Sequence, residues 1–211
     1  MKVFLAGATG AIGRFAVPAL VAAGHEVTAL ARSDAKAARL AEAGATPVTV
    51  DLFDRPGLAA ALAGHDAVVN IATRIPPTTK ATRASAWVEN DRIRREGSAT
   101  VADAALGAGV GRYVQESITF AYPDRGEAWI DEDVPLDVPH PLAAMAAAEA
   151  SAARFTAAGG TGVILRFAAL YGPGSEQTDQ MLALARRHVG VQAGRPGDYV
   201  SSLHLADAGT A

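Results

Sequence analysis

The sequence predicts a doubly wound α/β fold: a parallel sheet with helices on both faces. Three observations carry this reading. Short apolar runs alternate with longer segments of helical spacing. The alternation continues through about residue 168. A glycine-rich turn joins the first run to the first helix. Strands that follow one another through helical crossovers form right-handed βαβ units, which bury a parallel sheet from both sides.

Residues 3–5 are the first strand. Ile12, Phe15, Ala16, Ala19, Leu20 and Ala23 then recur at helical spacing, and Gly24 ends that helix. Pro18 lies inside it and is expected to cost a hydrogen bond. Residues 25–31 (HEVTALA) are the second strand, followed by a polar helix over 33–43 that stops at Gly44. Residues 48–50 are the third strand, and 56–63 a short helix ending at Gly64. Residues 67–72 (AVVNIA) are the fourth strand, and 73–83 a polar, proline-bearing loop. A long helix is expected over 85–106, then a fifth strand over 112–117 (RYVQES). Residues 121–141 carry four prolines and many acids and read as an ordered loop or lid. A helix over 142–158 and a sixth strand over 162–167 (GVILRF) complete the pattern. Two portions follow: a nucleotide-binding domain over 1–168, and over 169–211 the start of a small, incomplete substrate-binding portion. The final residues GTA read as the opening of a helix, so the 211 residues are expected to be part of a longer protein.

Composition narrows the function classes. Half of the residues are apolar and 19% are charged, which suits a folded core. The net charge is −3, against a protein that works by non-specific attraction to nucleic acid or anionic membrane. Mean hydropathy is +0.15, yet no apolar run approaches a membrane span of roughly 18–20 residues. Cysteine is absent, which excludes disulfides, zinc-thiolate sites and cysteine nucleophiles. No metal site is read from the sequence. A cytoplasmic protein with a small-molecule substrate is the expectation; the oligomeric state stays open, a homodimer among the forms it can take.

The motif that carries chemistry is Gly7-Ala8-Thr9-Gly10-Ala11-Ile12-Gly13, directly between the first strand and the first helix. Gly7 permits the tight turn, Gly10 lets the backbone approach a pyrophosphate, and Gly13 lets the helix pack closely. The helix N-terminus then faces the phosphates, with Thr9 and Ile12 beside them. A dinucleotide is the ligand this arrangement takes. Arg32 follows the second strand, where an acid would read the ribose of NAD and a base can pair with the 2′-phosphate of NADP. NADP is therefore preferred over NAD. Asp51 and Leu52, at the expected end of the third strand, are candidates for the adenine side, and Ala72, after the fourth, for the cofactor wall.

The whole pattern resembles the short-chain dehydrogenase/reductase superfamily, in its extended or atypical branch of NAD(P)-dependent epimerase/dehydratase-like proteins with a Rossmann fold. GATGAIG matches the nucleotide loop, Asn70-Ile-Ala the fourth-strand end, and Asn90 an N-x-x-G helix with its Gly displaced. GVGRYVQES resembles the strand that carries the active-site serine, LRFAALYGPGS the opening of the substrate region, and residues 201–207 (SSLHLAD) the stretch beside the cofactor. The resemblance implies a Tyr with a Lys four residues later on the helix after the fifth strand. That helix reads HPLAAMAAAEA, and the lysines of the chain are Lys2, Lys36 and Lys80, so no Y-x-x-x-K occurs in any register. Ser117 and Tyr122 are then the candidate catalytic residues, Ser117 as a hydrogen bond to a substrate oxygen and Tyr122 as a proton donor. His140 has a suitable pKa but lies between two prolines. Arg166 reads as either a substrate contact or an ion pair, Glu149 as solvent-facing, and the acids of 124–133 as a solvated face.

These observations imply an atypical NAD(P)-dependent oxidoreductase or isomerase acting on a small carbonyl or hydroxyl compound. The alternatives are a catalytically silent NADP-binding sensor or regulator, and an enzyme that uses the pocket for a non-redox reaction.

Overall fold

The computed structural model describes residues 1–190 and 197–211. Six parallel strands form its centre: β1 (Lys2–Ala6), β2 (Glu26–Leu30), β3 (Thr46–Val48), β4 (Ala67–Asn70), β5 (Arg112–Ile118) and β6 (Thr161–Phe167). Their order in the sheet is β3-β2-β1-β4-β5-β6. This is the doubly wound order, which reverses between β1 and β4 and opens a crevice beyond the strand ends there. Between the strands run α1 (Gly13–Ala22), α2 (Asp34–Glu42), α3 (Arg55–Leu62), α4 (Val88–Arg92), α5 (Ser98–Gly107) and α6 (Ala143–Ala157).

Strand periodicity explains the two cores. On β1, Phe4 and Ala6 point to one face and Leu5 to the other. Phe4 and Ala6 meet Leu58 and Leu62 of α3, Val101 of α5 and Phe155 of α6. Leu5 joins Val17 of α1, Leu40 of α2, and Val27 and Ala29 of β2. A second, two-stranded parallel sheet pairs β7 (Ala169–Tyr171) with β8 (Ser202–His204), with α7 (Glu176–Ala185) in the intervening chain and α8 (Leu205–Thr210) after it. Leu205 and Ala208 of α8 are buried in the same cluster as Ile12 and Val17, so this part of residues 169–211 packs on the first core.

Two elements differ from the sequence expectation. The third strand is Thr46–Val48, two residues earlier than the apolar run at 48–50. Pro47 sits inside it, opposite Ala29. β3 is an edge strand, where proline's missing N–H costs no ladder bond. The expected helix over 85–106 is interrupted. It opens with a single 3₁₀ turn at Ala84–Ala86, continues as α4, passes through a π turn at Ile93–Gly97 and resumes as α5. Gly97 lies against Leu52, where an added Cβ would stand 2.7 Å from Cδ2. α1 continues across Pro18.

Candidate functional site

The loop after β1 opens a cleft of about 1410 Å³ along the carboxyl ends of the strands. The sequence between Gly7 and Gly13 dictates its shape. Gly7 has φ +89°, and a Cβ there would stand 2.6 Å from the backbone of Ile71. A Cβ on Gly13 would overlap the backbone of Ala8. Both positions hold the loop tightly against β4 and the start of α1. Gly10 is different. A Cβ there would meet Gly7 O alone, at 3.2 Å, and its other side opens on the cleft. Ile12 stands at the N-cap of α1 and caps it with no side chain. Gly7, Thr9, Gly10 and Ile12 line the cleft, and Gly13 lies behind them. A loop whose middle glycine leaves room along the cleft, before an uncapped helix end, fits the diphosphate of a dinucleotide.

From this centre the cleft extends in two directions. Towards β2 and β3 it is lined by Arg32, Lys36, Arg39, Asp51 and Leu52. The Lys36 ammonium has a lowered pKa, first through partial burial and then through repulsion from Arg32, Arg74 and Arg39. Asp51 lies in the turn beyond β3, and its Oδ1 accepts the N–H of Phe53 at 2.8 Å. Arg32 was legible in the sequence by its position after β2. Lys36 and Arg39 were not, since cations on a polar helix usually face solvent alone.

Towards β4, β5 and α6 the cleft is lined by Ala72, Thr73, Asn90, Arg94, Glu116, Ile118, Phe120, Leu142 and Met145. Ala72 N–H donates to Asn70 Oδ1 at 3.3 Å. Asn90 Oδ1 accepts from Arg74 N–H at 3.1 Å, which ties the loop after β4 to α4. Beneath the wall, Asn70 Nδ2 lies within hydrogen-bond distance of Ser98 Oγ, Tyr113 OH and Gln115 Oε1. Burial pushes the Tyr113 phenol far up, against hydrogen bonds from Asn70 and Ser98. Where α6 faces the cleft it presents Ala144 and Met145, preceded by Pro141 and Leu142. No ionisable side chain occupies that face among the described residues.

The structure brings Ser117 and Tyr122 together, around Arg166 and away from the cleft wall. Ser117 is fully buried, and its hydroxyl donates to Glu149 Oε1 at 2.5 Å. Arg166 donates to both oxygens of Glu149, each at 2.9 Å, and to Tyr122 OH at 2.6 Å. Glu149 is therefore a buried ion-pair residue, 7% exposed, where the sequence predicts a solvent-facing one. Its carboxyl is pushed up by burial, but the Arg166 and Ser117 hydrogen bonds prevail and hold it below the usual carboxylate range. His204 Nδ1 accepts from Ala206 N–H at 3.2 Å and caps α8. The side chain of His140 lies outside the described residues. Of residues 121–141, read as an ordered loop or lid, Pro141 lines the cleft and 121–139 lie off it as a loop, with the acids of 124–133 exposed. Sequence reasoning missed Arg94 and Glu116. The signal was present in RYVQES: a Glu inside a parallel strand must be buried and needs a partner.

Comparison with known proteins bears on the same cleft. A family model described as NAD(P)H-binding matches residues 7–191. The 3-diazoavenalumate denitrifying reductase of a Streptomyces species is 39% identical over 187 residues, 83% of this chain and 58% of that protein. The chain thus spans a little over half the length of that relative. A 4-hydroxy-2-methyl-3-oxo-4-farnesyl-3,4-dihydroquinoline-1-oxide ketoreductase of Stigmatella aurantiaca is 34% identical over 64% of this chain and 39% of its own length. Among solved structures, a UDP-glucose 4-epimerase of Stenotrophomonas maltophila with bound NAD superposes with TM-score 0.78 at 21% identity, covering 100% of this chain and 71% of that one. A dTDP-glucose 4,6-dehydratase double mutant of Streptomyces venezuelae with NAD gives TM-score 0.80 at 24% identity, covering 99% and 70%. These two likenesses show the fold. Among the described residues no helix is long and apolar enough to cross a membrane, and no three His, Asp or Glu gather as a metal would need.

Proposed function

The chain belongs to the NAD(P)H-binding family, and from that premise we propose that it is a reductase of the extended short-chain dehydrogenase/reductase type that prefers NADP(H) and acts on a small carbonyl compound. The observation that carries the cofactor preference is the cluster of Arg32, Lys36 and Arg39 on one wall of the cleft. The Lys36 ammonium is lowered first by partial burial and then by repulsion from Arg32, Arg74 and Arg39, which marks the cations as gathered together. Clustered cations at the ribose end suit a 2′-phosphate better than a diol. When bound, the cofactor supplies the hydride. The Gly7–Gly13 loop would hold its diphosphate, Arg32 and Leu52 its adenosine half, and Ala72 and the β5 end would flank the other half.

Arg32→Ala is expected to weaken NADPH about tenfold or more, the low end of a charge-assisted hydrogen bond at about 1.5 kcal/mol, with NADH affinity unchanged. Fluorescence titration with both cofactors checks this. Equal losses for both would remove the basis for the preference.

One observation favours a second reading, a silent NADP-binding sensor: Pro141, Leu142, Ala144 and Met145 present no proton donor to the cleft. NADPH oxidation on a panel of aromatic and aliphatic carbonyl compounds separates the two, because a sensor binds the cofactor and turns nothing over.

A further inference from the structure

Arg94 and Glu116 stand out among the residues of the cleft. Both line it, and they are 4% and 5% exposed. They are the buried ionisable side chains of its wall among the described residues. Arg94 Nη2 donates to Glu116 Oε1 at 3.0 Å and stands 2.9 Å from Oε2. Arg94 Nη1 is buried and has no hydrogen-bond partner among the described residues. A buried guanidinium N–H left unmade is costly, so the arrangement is suited to an incoming oxygen. The π turn at Ile93–Gly97 carries Arg94, and such turns interrupt helices frequently at functional sites. Glu116 lies near the end of β5, on the half of the cleft beyond the strand-order reversal and opposite the cation cluster. The same half of the cleft also carries the apolar side chains of Ile118, Leu142 and Met145.

We propose that Arg94 and Glu116 form an oxyanion site for the substrate: Arg94 Nη1 donates to the carbonyl oxygen, and the Glu116 carboxyl supplies the proton that this oxygen gains. The proposal rests on the reductase reading above. In the reaction the carbonyl carbon accepts a hydride from the reduced nicotinamide, and the C=O π pair moves onto oxygen. That oxygen takes the proton of Glu116. The resulting Glu116 carboxylate stays paired with Arg94 and regains a proton from water in the open cleft. Preorganised donors aimed at developing negative charge are the usual largest source of rate enhancement. Burial pushes the Glu116 carboxyl up against the lowering effect of Arg94, so the carboxylate that Arg94 holds takes a proton from water when a second oxygen draws on the guanidinium. The charges near the pair are Arg94 from the π turn, which faces Glu116, and Glu149 from α6, which Arg94 also influences and which is paired with Arg166 of β6.

Benzoate is the probe, an apolar ring carrying a full oxyanion. It is titrated by calorimetry into NADP⁺-loaded protein in two buffers of different ionisation enthalpy, and NADPH affinity is measured by fluorescence on the same samples. Expected results are saturable benzoate binding with proton uptake, at least tenfold weaker binding in Arg94→Met, and loss of the proton uptake in Glu116→Gln. NADPH affinity should stay within twofold of wild type in both. Arg94→Met leaves a buried carboxylate unpaired, so the Arg94→Met/Glu116→Met double variant serves where the single one does not fold. It should keep the wild-type melting temperature and lose benzoate. Absent benzoate binding, or equal binding without Arg94, overturns the proposal while NADPH binding stands. A wild-type protein that binds no NADPH defeats the cofactor reading instead.

Discussion

Gly10→Val is expected to abolish measurable NADPH binding, at least about 100-fold in Kd or ~2.8 kcal/mol, while leaving the melting temperature close to wild type. The asymmetry among the three glycines makes this separable. At Gly7 and Gly13 any Cβ runs into backbone, so substitution there disrupts the loop itself. At Gly10 the added Cβ meets only Gly7 O at 3.2 Å, and the backbone has no positive φ to defend. The valine methyl groups then stand in the cleft where the diphosphate would lie against the loop. The measurement is NADPH fluorescence titration beside a thermal melt. Wild-type affinity in a folded Gly10→Val protein would mean that the cleft takes its ligand elsewhere.

Arg166→Met should lower stability by about 3–5 kcal/mol, the range for breaking a buried pair by removing one partner. For a chain of this size that corresponds to a melting temperature lower by roughly 6–20 °C. The variant strips three hydrogen bonds and leaves Glu149 with Ser117 as its partner. The pH dependence gives a second readout. The folded-state pKa of Glu149 is lowered, so its contribution is present in full above the unfolded value of about 4.3 and is lost as pH falls through the folded value. In Arg166→Met, burial without the guanidinium raises that carboxyl instead. Acidification should therefore cost the variant less than the wild type. Arg166→Met/Glu149→Met should recover most of the lost stability, because an apolar pair leaves no buried charge. An unchanged melting temperature in Arg166→Met would mean that the network is not a source of stability.

Much of the architecture was legible because parallel sheets write themselves as continuous apolar runs. β1, β2, β4, β5 and β6 fall where VFL, EVTAL, AVVN, RYVQES and GVILRF stand in the sequence. The edge strand was misplaced because it has less apolar surface to bury and tolerates Pro47, so hydrophobicity pointed to the following residues. The glycine loop was legible as a motif, since steric need fixes glycine at Gly7 and Gly13. The charged pairs were not. α6 is rich in alanine, which gives no apolar stripe from which to read its buried face, so Glu149 looked like a surface residue. Arg94 shows the same difficulty in another form. The π turn shifts the helical register by one residue, so 3.6-residue counting from Asn90 does not carry through to Ser98.

The packing of α8 on α1 has a consequence for the order of synthesis. Gly209 rests against Phe15 and Ala16, where a Cβ would come within 2.9 Å, and Leu205 and Ala208 bury beside Ile12 and Val17. These partners lie far apart in the sequence, so the contact closes a long loop and its entropy must be lost before it is rewarded. On the ribosome, the helix that follows the glycine loop emerges long before the residues that seal its outer side. Until they arrive, α1 carries bare apolar surface, a place where a chaperone has something to hold.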